Sequence, residues 1–84
     1  MMQLKIYTPA MLALDREIES LVFQGEKGET CILRHHTAAV FAVHEGTVRV
    51  KGTDGNVVKY AVDDGFLRVQ NDRIDLFCGV LDPV

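Results

Sequence analysis

Between Thr47 and Cys78 the chain alternates polar and apolar residues with a period of two, and it interrupts that alternation only at clusters of turn formers. In Thr47–Lys51 (TVRVK), Val48 and Val50 fall on one face and Thr47, Arg49 and Lys51 on the other, the pattern of a half-buried strand. The run Gly52-Thr53-Asp54-Gly55-Asn56 tolerates positive φ and predicts a tight turn. The chain then returns as Val57–Val62 (VVKYAV), with Val58, Tyr60 and Val62 on one face. Asp63-Asp64-Gly65 breaks the pattern, Phe66–Gln70 resumes it with Leu67 and Val69 inward, and Asn71-Asp72 predicts a second tight turn before Arg73–Cys78. Short strands with turn signals this close together predict an antiparallel meander, and hence an all-β sandwich or barrel.

The first half is ambiguous on the same criteria. Leu4 and Ile6 alternate like the residues of an edge strand. Thr8-Pro9 resembles a helix start, and Met11, Leu14, Ile18 and Leu21 recur at spacings of three, four and three, a helical stripe. Against a helix, Ile18–Phe23 (IESLVF) reads as a strand, with Asp15-Arg16-Glu17 as the turn of a hairpin. Periodicity leaves both readings open over residues 11–24. No internal repeat, linker or low-complexity segment divides the 84 residues, which predict one domain.

Composition excludes several functional classes. Hydrophobic residues make up 48% and charged residues 25%, which argues against disorder. A net charge of −3 argues against nucleic-acid binding, which calls for a basic patch. The two cysteines, Cys31 and Cys78, lack the framework spacing of a disulfide-rich secreted domain and are expected to be unpaired. The N-terminal segment lacks the basic and apolar regions of a signal peptide, and no apolar run approaches the roughly 18 residues that span a bilayer. Work at a membrane would therefore need a partner to hold the chain there.

Residues 25–40 (GEKGETCILRHHTAAV) concentrate most of the reactive side chains. Cys31, His35 and His36, with Cys78, are types that ligate zinc. Adjacent strand residues point to opposite faces, however, and the paired short spacings of zinc modules are missing. A cysteine nucleophile activated by histidine would need a lowered thiol pKa and a pocket, and nothing in the sequence predicts either. The simplest reading makes Ile32 and Leu33 core, Cys31 and Cys78 small buried hydrophobes, and Glu29, Arg34 and His36 solvated surface.

Five pieces, in order, resemble the N-terminal β-sandwich domain of the epsilon subunit of F-type ATP synthases. Leu4–Pro9 matches an "LKIxTP" opening and Asp15–Ser20 a "DGEVES" turn. Gly25, Glu26, Gly28, Glu29, Ile32, Leu33 and His36 fall in register with "PGExGEFGILPGHAPL". Glu45–Val50 echoes "PGxVRV", and Tyr60–Val69 echoes "YAVSGGFLEV". The resemblance covers nearly all 84 residues as a single epsilon-type domain and replaces the helix over residues 11–24 by two strands. It implies an antiparallel β-sandwich of about eight to ten short strands. Departures cluster in the central loop, where Thr30-Cys31 and Arg34-His35 replace Phe-Gly and Pro-Gly; a family glycine at positive φ would leave Cys31 or His35 strained. The family commonly continues into two regulatory helices, whereas this sequence stops at Val84, so no C-terminal helical hairpin and no helix-mediated inhibition are expected of it.

The resemblance implies a non-catalytic central-stalk (rotor) subunit that links the gamma shaft to the membrane c-ring and couples ion translocation to ATP synthesis. The alpha/beta catalytic head would be an indirect partner, and the subunit would sit peripherally on the cytoplasmic face of the bacterial inner membrane. It implies no cofactor and no bound metal. By position in the family pattern, Glu29, Arg34 and His36 form the ring-docking loop and Phe41 contacts the gamma shaft, with Val40 and Val43 as core or shaft surface. The rival expectation is a free-standing β-sandwich that binds a metal or small ligand through Cys31, His35 and His36.

Overall fold

The computed structural model describes residues Met1–Val84 and contains nine strands and no helix. In chain order they are β1 (Met2–Thr8), β2 (Met11–Gly25), β3 (Gly28–Ile32), β4 (Ala39–Val43), β5 (Gly46–Gly52), β6 (Val57–Val62), β7 (Gly65–Gln70), β8 (Arg73–Cys78) and β9 (Leu81–Pro83). They form one open sheet in the order β4-β7-β8-β1-β2-β5-β6-β9, with β3 alongside β2. All pairings are antiparallel except β1 with β8, which run parallel. The sheet doubles back through β2, so that the β4-β7-β8-β1 side and the β5-β6-β9 side enclose one core.

The period-two pattern from Thr47 onward sets the second half. Val48, Val50, Val62, Leu67 and Val69 are buried on the faces expected of them, Val58 and Tyr60 on the Val62 face are half-buried, and Ile74 and Leu76 of β8 are also buried. Each fully buried side chain contributes about 1.5–3 kcal/mol on burial. The β5–β6 turn spans Thr53–Asn56, where Gly55 takes φ 87° and Asp54 Oδ1 accepts the Asn56 amide at 2.9 Å. Asn71 (φ 52°) and Asp72 (φ 57°) form a two-residue left-handed turn, the geometry that matches strand twist in tight hairpins. At Gly65 the strands approach so closely that a Cβ would lie 1.9 Å from the Phe77 carbonyl oxygen.

The first half departs from expectation. β2 is one 15-residue strand, so neither a helix nor a hairpin turn at Asp15-Arg16-Glu17 is present. Its first part pairs with β1 from Met11 to Ile18, and its last part pairs with β3 from Leu21 to Gly25. Along its other edge β5 pairs with Ile18–Val22. An irregularity between Ile18 and Ser20 puts one extra residue, Glu19, into the ladder. A bulge of this kind bends a strand and shifts its face by one residue. Ile18 and Leu21 therefore both point into the core, three residues apart, and imitate a helical stripe. β1 is likewise no edge strand: it lies between β8 and β2, and Leu4 and Ile6 are fully buried.

Sixteen residues form the core, and it extends to Phe23 of β2 and Ile32 of β3. Cys78 is buried, but Cys31 is exposed, because β3 turns Thr30 and Ile32 inward and Glu29 and Cys31 outward. Leu33, read as core from sequence, is exposed, since the chain leaves the sheet directly after Ile32.

Candidate functional site

β3 and the segment that follows it carry three of the four residues singled out for docking. Glu29, at the start of β3, faces solvent and meets Arg49 of β5 in a two-point ion pair, with Nη1–Oε2 at 2.9 Å and Nη2–Oε1 at 3.1 Å. The hydrogen bonds and positive charge of Arg49 hold the Glu29 carboxyl below the usual carboxylate range. The ladders explain the pairing. Cys31 lies opposite Val22, which lies opposite Arg49, so Arg49 sits one strand across from the outward face of β3. A planar guanidinium fork fits a carboxylate in this two-point manner.

Beyond Ile32 the chain enters a loop. Arg34 is exposed and makes no hydrogen bond or ion pair. His35 adopts φ 63°, a left-handed conformation that costs a residue with a Cβ about 1–2 kcal/mol. The carboxylate of Asp72 meets that loop twice: Oδ1 accepts the His35 amide at 2.6 Å, and Oδ2 lies 3.4 Å from His35 Nδ1. The β7–β8 turn thus holds the loop at the residue where the resembling family pattern has glycine. Cys31, at the other replaced glycine, sits in regular strand without positive φ.

His36 is half-buried, its ring edge-on to Phe41 with centroids 5.8 Å apart. Its Nδ1 donates to the Thr37 carbonyl at 2.7 Å. Phe41 in turn packs edge-on against Phe23 of the core at 5.7 Å. Its neighbours on β4 divide as the alternation requires: Val43 is buried and Val40 is 68% exposed. His36 and Phe41 therefore form one contact between the loop and the edge strand β4. Glu29 lies on β3, three residues before its exit at Ile32, or about 10 Å of strand.

No three His, Cys, Asp or Glu side chains are grouped to share a metal ion. Cys31 faces outward from β3, Cys78 is in the core of β8, and His35 and His36 diverge from a loop. Burial pushes the Cys78 thiol up from its ordinary pKa and keeps it protonated.

Several polar positions escaped the sequence reading. Arg49 was visible only as an outward residue of β5, and its partner could be found only from the ladders. Asp63 Oδ1 accepts the amides of Gly79 and Val80 at 2.8 and 3.0 Å, and the resulting fall in its pKa comes mainly from those bonds. On the outer face of the β7–β8–β1 region, Phe77 stacks on both Phe66 and Tyr7 at 4.9 Å, although Phe66 remains 49% exposed.

The model of the ATP synthase delta/epsilon chain β-sandwich domain matches residues 1–80. The ATP synthase epsilon chain of Desulforamulus reducens is 40% identical over 72 residues, covering 86% of this chain and 54% of the relative. The chloroplastic epsilon chain of Cyanidioschyzon merolae is 35% identical over 75 residues, covering 89% and 56%. The chain thus spans little more than half the length of these relatives. Among solved structures, a chain of the Euglena gracilis mitochondrial ATP synthase (OSCP/F1/c-ring) superposes with a TM-score of 0.92 at 20% identity, covering 98% of this chain and 52% of that one. A chain of the Tetrahymena thermophila mitochondrial ATP synthase central stalk and c-ring superposes with a TM-score of 0.77 at 13% identity, covering 95% and 64%. At these identities the likeness establishes a shared fold.

Proposed function

We propose a mechanical role from one premise: the chain belongs to the ATP synthase delta/epsilon family, whose β-sandwich domain it carries. In this reading it is a non-catalytic rotor subunit of the central stalk. It joins a gamma shaft to a membrane c-ring and couples ion translocation to ATP synthesis from the cytoplasmic face of a bacterial inner membrane. The observation that carries the reading is the family match over residues 1–80, nearly the whole chain.

The geometry adds physical support. A subunit that passes torque through a wet interface needs directional charge-assisted bonds on a rigid base. Glu29 is fixed by Arg49 on paired strands, and the loop carrying Arg34 and His36 is held to the β7–β8 turn through His35 and Asp72. Glu29, Arg34 and His36 form the ring-docking set in this proposal. Phe41, whose ring lies between Phe23 and His36, is the contact to the shaft.

Reconstitution of the complex in vesicles tests this. Glu29→Ala combined with His36→Ala is expected to lower ion pumping per ATP hydrolysed several-fold while circular dichroism and the unfolding midpoint stay near those of the parent. An unchanged ratio of pumping to hydrolysis in a complex that contains the double variant would remove the docking role.

A further inference from the structure

On the outer face of the β7–β8 hairpin, two arginine side chains converge on one carboxylate. Asp75 is 3% exposed although its parity on β8 opposes that of the core residues Ile74 and Leu76. It is covered from its own outer face. Arg68 Nη2 lies 3.0 Å and Arg73 Nε 3.4 Å from the same oxygen, Oδ2. Lys5 is its register neighbour on β1 and makes no bond to it. The other oxygen, Oδ1, is buried without any hydrogen-bond partner. A buried acceptor in that state is destabilising, and more so when it is charged.

Beside this carboxylate lies a notch of about 280 Å³ lined by Arg68, Gln70, Asn71, Arg73 and Asp75, with no apolar residue among them. Both arginine side chains are about half exposed, at 52% and 54%, and each spends one N–H on Asp75. A guanidinium offers five N–H donors, so most of those in the notch are free for a ligand. The notch therefore presents many donors that favour an anion, beside a carboxylate whose buried Oδ1 lacks a donor. A ligand that satisfies both carries negative oxygens and a hydroxyl on the same centre.

We propose that this notch is a binding site for a phosphate group that retains one P–OH, with the P–OH donating to Asp75 Oδ1 and the charged oxygens accepting from Arg68 and Arg73. To reach Oδ1 the ligand displaces one arginine side chain, a rotamer change that half-exposed side chains make readily. The site is independent of the rotor reading. The two arginines are set in a chain of net charge −3, so they are not part of a general basic surface.

The chemistry makes a sharp control available, because sulfate matches phosphate in shape and charge but has no hydroxyl to donate at neutral pH. Sites with a buried acceptor reject analogues that lack the donor. Titration of the isotope-labelled protein with sodium phosphate near pH 7, followed by amide NMR, is expected to shift the Arg68–Arg73 resonances saturably. Sodium sulfate at matched ionic strength is expected to bind at least about tenfold more weakly. In Asp75→Asn the side-chain amide supplies a donor of its own, and the preference for phosphate over sulfate is expected to disappear. Should Asp75→Asn fail to fold, Arg73→Gln keeps the test, because its half-exposed side chain can be changed without opening the core; it is expected to weaken phosphate binding several-fold. AMP, compared with inorganic phosphate at about pH 5.5, where a monoester of second pKa about 6 keeps a P–OH, distinguishes the source of the group: tighter binding than inorganic phosphate assigns the site to nucleotides, and equal or weaker binding assigns it to free phosphate. Equal shifts from phosphate and sulfate in the parent, or no saturable shift from either, would overturn the proposal.

Discussion

Glu29–Arg49 and His35–Asp72 each join side chains far apart in sequence, yet the two pairs are built differently. The first lies on regular strands and bonds side chain to side chain across the outer face of β3, β2 and β5. Remove it and both strands keep their ladders. The second connects two segments that are both left-handed, His35 at φ 63° and Asp72 at φ 57°, and its shortest bond is to a backbone amide. There the side chain determines where the main chain runs. The contrast predicts that charge can be altered freely at Glu29 and Arg49, whereas His35 and Asp72 tolerate only residues that preserve a backbone shape.

The largest expected effect is at Asp72. Asp72→Ala removes both contacts to His35 and places a Cβ-bearing residue without a local acceptor at positive φ. The expected loss is about 1–2 kcal/mol, measured as a lower urea midpoint. Asp72→Gly removes the same contacts and relieves the backbone, so its loss is expected to be smaller, near about 1 kcal/mol. Equal losses in the two variants would mean that the left-handed turn carries no strain and that the hydrogen bonds account for the whole effect.

A second contrast lies between the adjacent histidines. His35→Val puts a β-branched residue at φ 63° and is expected to cost about 1–2 kcal/mol, while His35→Asn, which tolerates that region, stays near the parent. His36→Val has no such backbone demand. Its cost, from the lost ring contact with Phe41, is expected to remain below about 1 kcal/mol. If His36→Val proved the more damaging, packing between the loop and β4 would outweigh backbone shape in fixing this loop.

Much of the fold was legible wherever one sheet face is buried throughout. From β5 to β7 the burial pattern repeats the sequence alternation, and the turn at Asn71-Asp72 falls where those residue types tolerate left-handed φ. β2 was not legible, because one strand serves two sides of the molecule and changes its inward parity at the Glu19 bulge. A three-residue spacing from Ile18 to Leu21 then looks helical although it arises in extended chain. β1 read as an edge strand because its polar alternation is real; its two neighbours, one of them parallel, lie at the opposite end of the sequence and just after the first turn. In the candidate site, residue types pointed to Glu29 and His36, but their partners could not be read. Arg49 and Asp72 are 20 and 37 residues from Glu29 and His35, a separation that only the ladders and the turn geometry close. Asp75 was missed for the same reason: on an alternating strand it counts as solvent-facing, and only two arginines from one hairpin bury it.

The smallest expected effect on the fold, and the most specific readout, belongs to Glu29. Its folded pKa is lowered by the hydrogen bonds and charge of Arg49. A carboxyl with a depressed folded pKa contributes stability that is present above its unfolded pKa and is lost as pH falls through the folded value. The contribution is therefore complete at neutral pH and fades only in acid, below the usual range for glutamate. Because the pair is exposed, the urea midpoint of Arg49→Gln is expected to stay close to the parent's, and high salt is expected to narrow even that difference. The carboxyl itself reports more clearly. In a carbon-detected NMR titration, Glu29 of the parent is expected to titrate below the ordinary glutamate range and to move up in Arg49→Gln. A Glu29 whose titration is the same in the parent and in Arg49→Gln would dissolve the pair in solution. The carboxylate would then be free of its strand-borne partner, and the rigid base proposed for docking would shrink to the loop that Asp72 holds.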